Sequence, residues 1–256
     1  MQNRITDFES VRNFRDFGGY TSAHGGQVKT GLLYRSGHYA EATEADLSAL
    51  ANFNMALQAD LRRPDERERM PGKWSAAYVI THDGGRETEA PHQRFLQRVE
   101  ASAEKADGWM SEYYAKAPFK LHHQAMFSDW FSRLSQTDGP ALVNCAAGKD
   151  RTGILCALTH HILGVSEADM LDDYELTNSA AKVDERLAEA TAYYNRLLDK
   201  DYEPEVYQPF LGVRRKYLQT AWHTIIEQNG SIDAYLADAL GVTSALSDKL
   251  VARLVG

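Results

Sequence analysis

The 256-residue chain holds only two cysteines, Cys145 and Cys156, too few for a disulfide scaffold. They suit a reducing compartment, with a reversible bridge under oxidation left open. No stretch approaches 18 consecutive apolar residues, so no stable membrane insertion is expected. The N-terminal MQNRITDFESVRNFRD lacks the apolar core of a signal peptide, which points to a cytoplasmic protein and leaves signal-independent export open. Basic charge is also short: 28 Lys and Arg against 36 Asp and Glu give a net charge of −8. That balance argues against nucleic acid as a partner and leaves anion binding to a local pocket. Nucleotide fingerprints are missing too, since Gly148-Lys149-Asp150 lacks the hydroxyl that would hold magnesium. The adjacent pairs His122-His123 and His160-His161 point about 100° apart on a helix and cannot share one ion, so neither metal nor cofactor is expected. With no repeat, low-complexity tract or long linker, a single domain over residues 1–256 is expected.

What is present converges on residues 141–164, ALVNCAAGKDRTGILCALTHHILG. Ala141, Leu142 and Val143 read as a short buried strand. Ile154, Leu155, Leu158, Ile162 and Leu163 recur at helical spacing until Gly164 closes the helix. Between them Ala146, Ala147 and Gly148 keep side chains out of the turn, so that backbone N–H groups there, with those of Lys149, can face inward. Successive inward amides at a helix N-terminus form an anion site of phosphate size. A thiol at its base is pushed toward thiolate, which makes Cys145 a candidate nucleophile. Arg151 offers a planar fork that two phosphoryl oxygens can share, a geometry lysine lacks. The Thr152 hydroxyl can donate to the sulfur and improve it as a leaving group. The alternative for Cys145 is a buried, inert core thiol.

The string NCAAGKDRTG resembles the active-site loop of the cysteine-dependent protein tyrosine phosphatases. Lys149-Asp150 inside it is similar to the bacterial branch of the mycobacterial tyrosine phosphatase B type. Asn13–Asp16 with Gly18-Gly19, Tyr34–Ser36, Asp60–Arg62 with Glu66, Asp173–Asn178, Tyr217-Leu218 and Gly230–Leu236 extend the likeness over nearly the whole chain. The resemblance implies an α/β fold: a central, mainly parallel sheet of four or five strands flanked by helices, with a helical lid insertion and a helical C-terminal half. It implies hydrolysis of phosphomonoesters through a phospho-cysteine, on phosphotyrosine proteins and on phosphoserine/threonine or phosphoinositides, and it implies no oligomeric state. Arg15 and Arg35 would brace the catalytic loop, the alternative being surface ion pairs. One position departs: the family carries His before the nucleophile, and here Asn144 stands there, an amide that hydrogen-bonds but carries no charge. That departure motivates a rival reading, a phosphate- or phosphoinositide-binding pseudophosphatase without turnover.

The remaining elements place the second reactive group. Thr43 reads as the N-cap of a helix over 44–51, a strand runs from Met55 to Leu61, and Arg62 and Glu66 form a candidate pair at the pocket rim. Ala76–Thr81 reads as a buried strand leading into His82-Asp83-Gly84-Gly85. The leaving oxygen of a phosphomonoester needs a proton, and Asp83 on that glycine loop is the first candidate acid. Asp150 within the cysteine loop is the second; the alternative for Asp83 is an ordinary turn aspartate. Residues 88–106 are expected as the lid, and Met126, Phe127, Trp130, Phe131 and Leu134 as the face of a helix packed under the sheet. From Ser166 onward the pattern is helical, with a proline-containing break at 203–209. Lys149 is either solvated or reaches across the pocket mouth to read extra phosphates.

Overall fold

In the computed structural model, which describes residues 4–98 and 100–256, strands and helices alternate through the first half of the chain. Residues 1–3, and Val99 inside the expected lid, lie outside the described residues. The order is β1 (Arg15–Asp16), β2 (Leu33–Ser36), α1 (Glu44–Ala51), β3 (Leu57–Asp60), α2 (Pro64–Arg69) and β4 (Tyr78–Ile80). Then come α3 (Pro91–Arg98), α4 (Ala103–Lys116), α5 (Leu121–Leu134) and β5 (Ala141–Asn144). The C-terminal half is helical: α6 (Asp150–Ile162), α7 (Glu167–Ala180), α8 (Val183–Leu198), α9 (Pro204–Leu211), α10 (Arg215–Asn229), α11 (Ile232–Asp238) and α12 (Ser244–Leu254).

The strands form one sheet in the order β1-β2-β5-β3-β4, parallel except where β1 runs antiparallel to β2. β5 is therefore central, with Leu33 and Leu57 both opposite Ala141. Alternation along β5 explains the layers, because successive side chains leave a strand on opposite faces. Ala141 and Val143 enter the main core with α5 and α6, and Leu142 joins Leu50 and Met55 on the other face. A parallel strand buried on both faces needs an apolar run, and ALV supplies it. Its carboxyl end opens at the middle of the sheet edge, the position where open α/β sheets bind ligands.

Several local expectations are met. Thr43 caps α1, with Asp46 completing a reciprocal pair, and the same Asp46 carboxylate accepts from the backbone N–H groups of Glu9 and Ser10 at 2.8 and 3.0 Å. Ser166 caps α7 through the Asp169 N–H, and the apolar face of α5 packs under the sheet. Two differ. β4 is an edge strand and not a buried one: Tyr78 is exposed there beneath the Arg133 guanidinium, 4.0 Å from the ring centroid. The segment 203–209 is no break, since Pro204 opens α9 at its first position and Pro209 lies inside that helix. The break falls just before it, where Asp199 ends α8 in the left-handed conformation, φ 51°.

Candidate active site

The loop between β5 and α6 is shaped by what its carbonyls touch. Ala146 O accepts from His38 N at 3.2 Å, and Ala147 O from Asn13 Nδ2 at 3.1 Å. Gly148 O accepts from Asn13 Nδ2 at 2.8 Å and from Arg35 Nη2 at 3.1 Å. A planar trans peptide points its N–H opposite to its C=O. The N–H groups of Ala147, Gly148 and Lys149 are thereby turned to the other side, and none meets a protein acceptor among the described residues. Gly148 makes this turn with φ 67°, and an added Cβ would lie 2.2 Å from Ser36 O, so no other residue fits. Ala146, Ala147 and Lys149 line a cavity of about 490 Å³ together with Cys145, Asp150 and Arg151.

The donors that hold the loop are themselves fixed by Asp173 on α7. Its carboxylate accepts from Arg15 Nε at 3.3 Å and Arg35 Nη1 at 2.7 Å, and Arg15 also donates to Asn13 Oδ1. All three charged side chains are at most 1% exposed, so the alternative of surface ion pairs is excluded and bracing stands. Burial alone would raise the Asp173 carboxyl, but the two guanidiniums bring it from 3.8 down to about 2. A folded value below the ordinary one means that this triad stabilises fully above about pH 4 and loses its contribution as pH falls through about 2. Asp173→Asn leaves two buried guanidiniums short of a counter-charge and is expected to cost about 3–5 kcal/mol in urea unfolding at pH 7. A loss under 1 kcal/mol would refute that account of the brace.

Arg151 is held as a fork. Its Nη1 donates to Glu66 Oε2 at 2.6 Å and to Leu61 O at 2.9 Å, while Nη2 donates to Glu66 Oε1 at 3.0 Å. The expected Arg62–Glu66 pair is therefore corrected: Glu66 serves Arg151 and Arg63, and Arg62 grips Asp60 instead, Nη2 to Oδ2 at 2.6 Å. Both come from the turn after β3, where Pro64 starts α2 and turns Glu66 toward the cavity. Asp60 also accepts from Asn144 Nδ2 at 3.1 Å, and Asn144 Oδ1 accepts from Gln58 Nε2 at 2.8 Å. The residue before Cys145 is thus a fully buried amide with donor and acceptor both paired.

A model of the tyrosine phosphatase family matches residues 6–256. The chain belongs to that family. It is 34% identical to a tyrosine-protein phosphatase of Cupriavidus necator over 93% of this chain and 85% of the relative. It is 26% identical to the triple specificity protein phosphatase PtpB of Mycobacterium tuberculosis over 98% and 99%, and 30% identical to a tyrosine-protein phosphatase of Nostoc commune over 59% and 49%.

Against this phosphatase fold the two candidate acids separate. Asp150 lines the cavity, and its Oδ1 accepts from Tyr114 Oη at 2.8 Å; Tyr114 in turn accepts from Tyr174 Oη at 2.5 Å. Asp83 lies outside the cavity with a fully exposed carboxylate whose one ion-pair partner among the described residues is Arg67 at 3.4 Å. Lys149 takes neither expected position: it is buried, and its Nζ donates to Pro209 O and Gly212 O at 3.2 and 3.0 Å, capping the end of α9. Thr152 Oγ1 is buried with no hydrogen-bond partner among the described residues. Cys156 belongs to the main core, where burial pushes its thiol up to about 12.

The cover over the cavity is broader than residues 88–106. Pro91 and His92 of α3 line it, and so do Trp109, Met110 and Tyr113 of α4, a helix that also buries Ala106 and Tyr114 in the protein. α8 and α9 add Tyr194 and Phe210. α3, α8 and α9 share an apolar cluster of their own around Leu96, Leu198, Val206 and Tyr207. Sequence reasoning missed this partnership because the two pieces lie about a hundred residues apart; the apolar positions of α8 and α9 are the one signal that they need a partner.

Proposed function

We propose that the chain hydrolyses phosphomonoesters in two steps on the Cys145 sulfur. The thiolate attacks phosphorus and the P–O bond to the leaving group breaks; Asp150 gives that oxygen its proton. Water then attacks the phospho-cysteine, Asp150 takes a proton from it, and the P–S bond breaks to release phosphate. The free amides and Arg151 hold the equatorial oxygens as charge spreads over them. Thr152 donates to the departing sulfur. The observation that carries the reading is a cysteine in the wall of a cavity beside a loop whose Ala147, Gly148 and Lys149 amides have no partner among the described residues, together with a doubly anchored guanidinium. Phosphotyrosine proteins are the first substrate class, and the triple specificity in the name of the mycobacterial relative extends the proposal to phosphoserine/threonine and phosphoinositides. Asn144, which motivated the binding-only reading, is satisfied by Gln58 and Asp60 and leaves the loop intact, so nothing favours that rival.

The test compares the two aspartates. Asp150→Asn is expected to lower kcat on a phosphoserine peptide by about 10²–10⁴-fold, and less on a nitrophenyl phosphate whose leaving group needs no proton. Asp83→Asn should stay within about twofold on both, since an exposed carboxylate outside the cavity touches no reacting atom. If the two effects were reversed, the acid would be Asp83. Burst kinetics with phosphate trapped on Cys145 separates turnover from binding alone.

A further inference from the structure

The cavity carries more positive charge than one phosphoryl group uses. Arg151 is engaged by Glu66, Lys149 by the end of α9, and Arg63 by Asp65 and Glu66. Arg12 and Arg186 also line the cavity, and neither has a carboxylate within ion-pair distance among the described residues. The Arg12 guanidinium makes no hydrogen bond there, and Arg186 makes a single long one to Ala181 O at 3.4 Å. Glu41 lines the same cavity and Glu189 follows Arg186 on α8, yet neither pairs with them. Lys120, also in the lining, is engaged by an aromatic face, with its ammonium 5.2 Å from the Tyr113 ring centroid.

Backbone contacts explain why the two arginines meet beside the loop. Asn13 N donates to Ala180 O at 3.1 Å, which ties the chain at 12–13 to the junction of α7 and α8. The side chain of the same Asn13 holds Ala147 O and Gly148 O, and Arg12 O accepts from Gly37 N at 2.8 Å. Arg12 thus stands one residue from a direct contact with the cysteine loop, and Arg186 one helical turn from the junction Asn13 grips. Burial lowers the Arg186 guanidinium, and the Arg12 charge adds to it. Arg12 is exposed at the cavity mouth and Arg186 is half-buried behind it; two like charges on one wall repel and are stabilised by an anion between them. Planar forks suit phosphate and carboxylate oxygens.

We propose that Arg12 and Arg186 form a second anion subsite, which takes a phosphate or a carboxylate of a phosphopeptide next to the phosphoryl group that Cys145 attacks. The inference rests on the phosphatase reading and adds a determinant of substrate choice to it; membership of a protein phosphatase family makes a phosphoprotein segment the occupant. Reading extra phosphates, one of the two positions open to Lys149 by sequence, falls to this pair instead.

The experiment compares matched peptides with one phosphotyrosine whose neighbours are alanine, glutamate or a second phosphotyrosine. The wild-type protein should favour the two anionic peptides over the alanine peptide by about tenfold or more in kcat/KM, chiefly through KM. The ratio should fall toward one in Arg12→Ala/Arg186→Ala and shrink with salt. Arg12→Glu/Arg186→Glu should reverse it toward a lysine-flanked peptide, a gain that a misfolded variant cannot show. A ratio unchanged in both double variants overturns the subsite. Selectivity confined to a soluble inositol bisphosphate, with no preference among peptides, overturns the peptide assignment. Should the wild-type protein fail to turn over any aryl phosphate, the phosphatase reading falls; the subsite is then decided by the same peptide ratios in equilibrium binding to Cys145→Ser.

Discussion

Cys145→Ser is expected to lower kcat on an aryl phosphate by about 10⁴-fold or more. A serine hydroxyl must lose its proton to attack phosphorus, and the residue before it, Asn144, is an amide already engaged by Gln58 and Asp60. Asp150 carries its proton for the leaving group in this first step and takes none from the hydroxyl. The other thiol cannot substitute, because Cys156 is sealed in the core on α6 and burial holds it protonated. Phosphate affinity should survive, since the amides of Ala147, Gly148 and Lys149 are aimed by His38 N, Asn13 and Arg35 through the carbonyls before them and not by the sulfur. Stopped-flow turnover and calorimetric titration with inorganic phosphate read the two quantities separately. A variant that kept a tenth of the activity would remove Cys145 from the nucleophile's role. One that lost phosphate binding along with turnover would show that the cradle depends on the sulfur.

Arg151→Lys is expected to cost about 10³-fold in kcat with a smaller change in KM. The guanidinium anchors to Glu66 and Leu61 O at 2.6–3.0 Å, and its remaining N–H groups meet no protein acceptor among the described residues. An ammonium is one point of charge on a flexible stem; it can satisfy Glu66 or follow the phosphoryl oxygens, not both in a fixed plane. The substitution also exposes what Arg151 does for its partner. Burial alone would raise the Glu66 carboxyl, and Arg151 with Arg63 brings it from 4.5 to about 2. With its folded value depressed, the pair stabilises fully above about pH 4.5 and loses that contribution as pH falls through about 2. In Arg151→Lys the Glu66 carboxyl should titrate at higher pH, so that acid unfolding begins earlier. Turnover within tenfold of wild type would mean that the loop amides suffice. An acid transition that did not move would uncouple Glu66 from Arg151.

Residues close in sequence carried most of what could be read before the fold was known. The strand, the small-residue turn, the arginine and the apolar helix occupy 24 consecutive positions, and caps such as Thr43 and Ser166 act within one helical turn. Misreadings fell where a side chain chooses among distant partners. Glu66 sits four residues from Arg62 in sequence and binds Arg151 instead. Lys149 was weighed as solvated or substrate-facing, and it caps a helix some sixty residues on. Asp83 is the first candidate acid by sequence and Asp150 the second, and a half-buried place beside Tyr114 against full exposure distinguishes them.

The chain's own order of residues determined that a cysteine would follow a buried strand and precede a helix, because hydrophobic periodicity, glycine freedom and helix capping are short-range effects. It also determined that few basic residues would be left for an anion site. The tertiary structure decided which charges are free. Asp173 holds Arg15 and Arg35, Glu66 occupies Arg151, and α9 carbonyls hold Lys149, so among the described residues the guanidiniums on the cavity wall without a carboxylate partner are Arg12 and Arg186. Pairing depends on distances of a few ångströms between residues far apart in sequence, and only packing around a common core sets those distances.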